Sequence, residues 1–357
     1  MNRRAFVATA CAALALAPTA QADTIAHSFD DLQARGRLAG IHGVVALRGG
    51  QILFERYMTG QDEAWGRKLG EVAFGPDTLH DLRSVTKSIV GLLYGIALDQ
   101  GRVPAPDQPL MAQFPEYPDL AADPARQALT VAHALTMTMG TEWDETLPYS
   151  DPRNSEIAME RAKDRYRFVL DRPVLVSPGQ GWIYSGGAVA LLARLIEKGT
   201  GSRLSAFAKA ALFTPLEIDK VEWATGDDGV DSAASGLRLT PRDLARIGQV
   251  MLAGGRWQGR QVVPRAWLDQ SVRRAAMADD GRHYGYLWYV GDMAVSRRGG
   301  IYGEPWIGAF GLGGQRLFVF PHLDFVLAVT AGNYDKSDQW VAPIRILRDA
   351  FLANMTP

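Results

Sequence analysis

The string SVTKSIVGLLYGIALDQG (residues 84–101) constrains this chain more than any other. Ile89, Leu92, Leu93 and Ile96 recur at helical spacing, Gly91 and Gly95 invite close backbone approach, and Gly101 stands where a left-handed cap usually ends such a run. A helix that is apolar on nearly every side has to run through the middle of a domain. It nevertheless carries Lys87, one turn after Ser84. A buried ammonium costs several kcal/mol unless it is paired or gives up its proton. Lys87 therefore either snorkels to water or has a partner that offsets that cost.

Around this helix the sequence reads as a mixed α/β (α+β) architecture. IHGVVALRGGQILFERYMTG gives two β-branched and aliphatic runs joined by Arg48-Gly49-Gly50, a hairpin pattern. From about 103 to 235 the pattern is helical with proline-rich connections, which predicts an inserted all-helical subdomain. TPRDLARIGQVMLAGG then predicts a helix with Thr240 as N-cap and Pro241 at its first position. Strand patterns return at HYGYLWYVG, RLFVFP and DFVLAVTAG, with Pro321 to Asp324 as a turn, and VAPIRILRDAFLAN closes the chain as a helix. Strands at both ends with helices between them predict one antiparallel sheet flanked by terminal helices.

Composition bounds the partners. Among 357 residues, Lys plus Arg (38) balances Asp plus Glu (39), so no global field favours nucleic acid or an anionic membrane. The first 22 residues join Arg3 and Arg4 to an Ala/Leu-rich stretch and a small-x-small end at Ala20-Gln21-Ala22, the pattern of an export signal cleaved before Asp23. Asn2-Arg3-Arg4-Ala5-Phe6-Val7 also resembles a twin-arginine signal, although paired arginines occur in ordinary signals too. The expected mature chain, 23–357, is periplasmic or secreted and free of the membrane. Cys11, the only cysteine, would leave with the signal, so no disulfide or thiol nucleophile is expected.

Three stretches carry candidate chemistry. Ser84 and Lys87 share a helix face at i and i+3, and Ser84 stands at the positive end of the helix dipole, where a developing oxyanion is stabilised. A desolvated lysine that accepts a proton can activate such a hydroxyl. Tyr184 stands just before another apolar helix in PGQGWIYSGGAVALLARLIEKGTG, where a phenol could relay a proton to a leaving group. Glycines 311, 313 and 314 in GAFGLGGQRLFVFP weaken a strand entrance and suggest close approach of a ligand or another backbone. Each has a bland alternative: an N-cap serine, a buried structural tyrosine, a bulge.

Together these stretches resemble the serine β-lactamase and penicillin-binding protein superfamily. Ser84 to Lys87, Tyr184-Ser185-Gly186 and Leu312-Gly313-Gly314 fall in the family's order and settings, with LTMTMG and GLRLTPRDLARIGQVML in between. The resemblance is closest to the class C β-lactamase and esterase branch, particularly the 6-aminohexanoate-oligomer hydrolase-like members. It implies that Ser84 is acylated, that Lys87 is its base partner and that Tyr184 shuttles protons. It also implies an oxyanion hole made by the backbone N–H groups of Ser84 and Gln315.

Two positions depart from the family pattern. Gly186 replaces an asparagine that touches substrate, and Leu312 replaces the lysine or histidine that holds a substrate carboxylate. Both changes remove polar contacts and spare the acylation groups, which ranks an ester or small-amide hydrolase above a β-lactamase, a DD-peptidase or a non-hydrolytic sensor. Arg297, Arg298 and Arg316 are candidates for the missing cation. Gly186, Leu312, Gly313, Gly314, Trp143 and Tyr149 are expected to line the substrate site, with Asp144 and Asp151 nearby. Ser150-Asp151 resembles the start of a Ser-Asp-Asn element, but Pro152 replaces its asparagine. There is no G-x-S-x-G, H-E-x-x-H or P-loop string, and the six histidines are scattered. His133 and His322 read as structural, and no metal or organic cofactor is expected.

Overall fold

A computed structural model describes residues 20–355 except 298, 299 and 335. Most of the expected export signal, and with it Cys11, lies outside the described residues. Its last three residues open the first helix, α1 (Ala20–Ala34).

Eight antiparallel strands form the main sheet. They are β1 (Ile41–Arg48), β2 (Gln51–Tyr57), β3 (Ala276–Met277), β4 (His283–Tyr284), β5 (Tyr289–Arg297), β6 (Gly300–Gly311), β7 (Gln315–Phe320) and β8 (Phe325–Ala331). Their spatial order is β3-β4-β5-β6-β7-β8-β1-β2, so the first strand of the chain pairs with the last. Gly49 and Gly50 turn the first hairpin with φ of 58° and 74°, the pair of left-handed residues that matches the twist of the flanking strands. The longest strand, β6, was not evident in the sequence. Its four glycines and Pro305 hide the strand pattern, although it pairs along its length with β5.

Both faces of the sheet are covered, which explains why RLFVFP is apolar without alternation. Leu317 and Val319 of β7 face a core shared with α2 (Val85–Asp99) and α4 (Pro241–Leu252), whereas Phe318 and Phe320 face α1 and the C-terminal helical segment 341–354. Thr240 caps α4 as expected, its side chain accepting from the Asp243 N–H at 3.1 Å. Helix α3 (Gly186–Thr200) is the main element of the helical region. Ser185 caps it, accepting from the Ala188 N–H at 3.1 Å, and Gly201 ends it at φ 70°. That region is not wholly helical. Glu222–Trp223 pairs with Leu237–Leu239, which pairs in turn with His80–Asp81 just before α2.

Every residue of α2 from Val85 to Ala97 is buried. A Cβ on Gly95 would fall 2.1 Å from the Trp267 ring, and one on Gly91 would fall 3.3 Å from the Tyr286 carbonyl. The two glycines therefore let neighbouring segments reach the helix backbone. Lys87 has no route to water along this helix, and its exposure is 1%.

Candidate active site

Ser84 is half-buried at the N-cap of α2, and its hydroxyl makes no capping bond to the helix. The turn that presents it is strained, because Arg83 holds φ at +49°, a region costing a non-glycine residue of order 1–3 kcal/mol. Surrounding contacts hold it there. Arg83 donates to Glu63 Oε1, lies 3.2 Å from Asp81 Oδ2 and stacks over the Tyr334 ring at 5.0 Å.

Lys87 turns back along the helix and donates to Ser84 Oγ at 3.0 Å and to the Ala234 carbonyl at 3.1 Å. Two buried carboxylates complete its surroundings, Glu156 at 3.5 Å and Glu145 at 3.9 Å. Neither stood out in the sequence. Glu145 accepts from the Gly186 N–H (2.5 Å), the Trp143 indole (2.6 Å) and the Tyr149 hydroxyl (3.0 Å). Burial pushes its carboxyl up to about 7, against the pull of Lys87, and Glu156 pushes in the same direction as burial. Glu156 accepts from Ser235 Oγ at 2.5 Å, which accepts from the Trp65 indole at 3.0 Å.

Tyr184 closes the group, with its ring face 4.8 Å from Lys87 Nζ. Burial first, then Tyr289 and Glu145, hold its phenol well above the ordinary value, while a hydrogen bond with the Ser84 side chain pulls the other way. The phenol is therefore neutral at rest and can donate. Ser84, Lys87 and Tyr184, separated by up to 100 positions in sequence, meet in one place.

The strand entrance expected to approach the nucleophile does so. A Cβ on Gly311 would fall 2.3 Å from the Leu82 carbonyl, so the end of β6 packs on the turn leading into Ser84. Gly313 and Gly314 hold φ of 86° and 102°, and a Cβ on Gly313 would fall 2.6 Å from the Tyr334 ring. The buried Gln315 amide spans this loop, bonding the Leu312 carbonyl (3.1 Å) and both backbone groups of Ala331 (2.5 and 3.0 Å). Leu312 is half-buried beside it.

Several residues expected to touch substrate have other surroundings. Gly186 lies beneath the two carboxylates: a Cβ there would fall 2.9 Å from Glu156 and 3.0 Å from Glu145, which fill the space a longer side chain would take. Trp143 is buried in the core against Gly187 and holds Glu145. Tyr149 does line an open cleft of about 330 Å³, with Trp65, Arg83, Glu156 and Ser235. Arg316 is committed to the loop, donating to the carbonyls of Gly311 (2.9 Å) and Gln315 (2.7 Å), and burial lowers it to about 10. The side chains of Arg297 and Arg298 lie outside the described residues. Asp144 is exposed and accepts from Thr146, and Ser150-Asp151 lies in a surface loop where Arg153 takes the Asp151 carboxylate at 2.6 Å. His133 caps a short helix through Thr130, and His322 is exposed in its turn.

An antiparallel sheet with this buried helix against it, and a serine, a lysine and a tyrosine converging at the helix head, belongs to the class of β-lactamase and penicillin-binding protein folds. The chain is a member of the Beta-lactamase family, whose model matches residues 25–346. It is 28% identical over 332 residues to the 6-aminohexanoate-dimer hydrolase of Paenarthrobacter ureafaciens, covering 87% of this chain and 77% of that one. Among solved structures, EstCE1, a hydrolase with promiscuous acyltransferase activity, superposes with a TM-score of 0.72 at 15% identity, over 93% of this chain and 98% of that one. A penicillin-binding protein homolog from Caulobacter crescentus gives 0.68 at 19% identity, over 93% and 97%. The family and these relatives define a hydrolase of the β-lactamase fold.

Proposed function

We propose that this protein is a serine hydrolase that acts through an acyl-enzyme on Ser84, with an ester or small amide as substrate. The observation that carries the reading is the 3.0 Å contact between Ser84 Oγ and a Lys87 buried to 1% exposure. Held between the hydroxyl and the buried carboxylates Glu145 and Glu156, this lysine is placed to handle the serine's proton. Ser84 Oγ would attack the substrate carbonyl as Lys87, acting as the free amine, takes the hydroxyl proton, which Lys87 later hands on through Tyr184. The negative charge on the carbonyl oxygen would be met by the N–H groups of Ser84 and Gln315; losing one such donor typically costs about 3 kcal/mol. Tyr184, a neutral phenol at rest, returns a proton to the departing alcohol or amine. Water then repeats the sequence on the acyl ester and frees Ser84.

The apolar Leu312 and the commitment of Arg316 to backbone carbonyls favour substrates without a carboxylate at the position where β-lactams carry theirs. The composition of residues 1–22 supports export of the mature chain. The test is a panel of p-nitrophenyl short-chain esters, small amides and a penicillin, run on wild type and Ser84→Ala with mass spectrometry of the protein. Turnover lost in Ser84→Ala, with a transient acyl mass on the wild type, is expected. Equal turnover by Ser84→Ala would sink the reading, and a persistent adduct without product would make the protein a sensor instead.

A further inference from the structure

A second cluster of chemistry-bearing side chains lies outside the hydrolytic group. His42 is in β1, Asp62 is in a hairpin strand (Thr59–Ala64), and His80 stands four residues before Ser84. All three are buried, and their candidate ligand atoms lie within 4.8 Å of one another. His42 Nδ1 is 2.9 Å from His80 Nε2, which is 3.7 Å from Asp62 Oδ1. The other nitrogen of His80 lies 2.9 Å from the Asp81 carbonyl. A carbonyl can only accept, so Nδ1 carries the proton and Nε2 turns a lone pair toward His42 and Asp62. This outer hydrogen bond is the one that commonly fixes the tautomer of a metal-bound imidazole.

The packing around these groups is specific. A Cβ on Gly60 would fall 2.4 Å from His42 Nε2, one on Gly332 would fall 2.4 Å from His42 Cε1, and Phe74 stacks on the ring at 4.3 Å. Asp62 is less well served. Its side-chain partners stand off, Tyr334 at 3.4 Å and Arg238 at 3.5 Å, where a charge-assisted bond is typically about 2.7–2.9 Å. Four carboxylates, Asp62, Glu63, Asp81 and Glu222, share the two guanidiniums of Arg83 and Arg238.

We propose that His42, Asp62 and His80 form a site for one divalent transition-metal ion of the zinc class. Tetrahedral zinc with bonds of about 2.0–2.2 Å sets its donors about 3.3 Å apart; the His42–His80 and His80–Asp62 separations of 2.9 and 3.7 Å bracket that value, and the third lies within 4.8 Å, so side-chain adjustment about the ion completes the site. Binding places the His42 proton on Nε2 and leaves Nδ1 for the ion. The ion ties together β1, the hairpin and the segment leading into Ser84, three parts far apart in sequence. Its role is to brace the strained turn at Arg83, and the proposal does not depend on what Ser84 hydrolyses.

The experiment uses the full chain carrying no polyhistidine tag, purified without chelator and assayed for metals by mass spectrometry. It is then stripped and titrated with Co²⁺, and melted with and without Zn²⁺. Close to one equivalent of bound metal or of Co²⁺ with tetrahedral visible bands, and a melting temperature raised by Zn²⁺, are expected. Asp62→Asn and His80→Gln should lose the Co²⁺ bands, and Ser84→Ala should keep them. A wild type that holds no metal, takes up no Co²⁺ and melts identically with Zn²⁺ overturns the proposal and leaves a hydrogen-bonded imidazole pair. Variants that bind Co²⁺ as the wild type does overturn it as well. The wild-type titration decides the question even if a variant fails to fold.

Discussion

Glu145→Gln isolates the energetic consequence of crowding two carboxylates around Lys87. In the wild type the Glu145 side chain is 5% exposed, and burial lifts its carboxyl from the ordinary 4.5 to about 7. A difference of that size corresponds to about 3 kcal/mol. Because the folded value is raised, the native state keeps a proton that the unfolded chain has released between about pH 4.5 and about pH 7. Stability from this group is therefore highest at the acid end, falls as pH rises through that window, and carries the full penalty above it. Glutamine keeps an oxygen for the Gly186 N–H and the Trp143 indole and places an amide opposite Tyr149, so the shape and most bonds survive. Lys87 retains Glu156 at 3.5 Å. Urea denaturation of both proteins between about pH 4.5 and about pH 8 should give equal stabilities at the acid end and a gap growing to at most about 3 kcal/mol in favour of Glu145→Gln. A gap that does not change with pH would refute the reasoning, since Glu145 would then be an ordinary solvated carboxylate despite its surroundings.

Other perturbations test separate parts of the structure. Tyr184→Phe should lower kcat by about 10²–10⁴ with little change in KM and an unchanged circular dichroism spectrum, and an unchanged kcat would mean the proton leaves by another route. Gly313→Ala has to hold φ at 86° with its Cβ 2.6 Å from Tyr334, so thermal melting should show a loss of about 1–3 kcal/mol, accompanied by slower ester hydrolysis. Gly95→Ala gains up to about 1 kcal/mol in helix propensity but drives a methyl to 2.1 Å from the Trp267 ring. It should be destabilised overall by about 1–3 kcal/mol in urea titrations, and a stabilised variant would show that Trp267 moves aside freely.

What could be read before the structure was local or periodic. The apolar run of α2, the Gly49-Gly50 turn, Thr240 with Pro241, and the grouping of Ser84, Lys87 and Tyr184 all rest on short spacings or on ordered motifs. Glu145 and Glu156 escaped because each is one acidic residue in a stretch that holds several, and only the approach of α2 decides which is buried. Asp144 and Glu145 are adjacent, yet one lies in water and the other beside Lys87. Trp143 was expected at the cleft for the same reason, since aromatic character alone cannot say on which side of a loop a ring packs. His42 and His80 looked scattered because the hydrogen bond between them spans 38 residues. β6 was missed because its glycines carry no hydrophobic pattern, although its partners on either side hold it as strand.

The pairing of β1 with β8 sets a condition on how this molecule comes into being. Ile41 lies opposite Ala331 and Arg48 opposite Phe325, so the first strand waits for nearly the whole polypeptide before it acquires its second neighbour. During synthesis the β1–β2 hairpin exposes the backbone edge of a strand whose residues are almost all buried in the finished protein. A ribosome stalled before residue 325 therefore releases a chain with a sticky, unpaired edge, the kind that recruits other chains. Six of the seven pairings in the sheet join strands adjacent in sequence, and the distant β1–β8 pairing alone has to wait, so a holding chaperone on residues 41–57 would be most useful just before the last strand emerges.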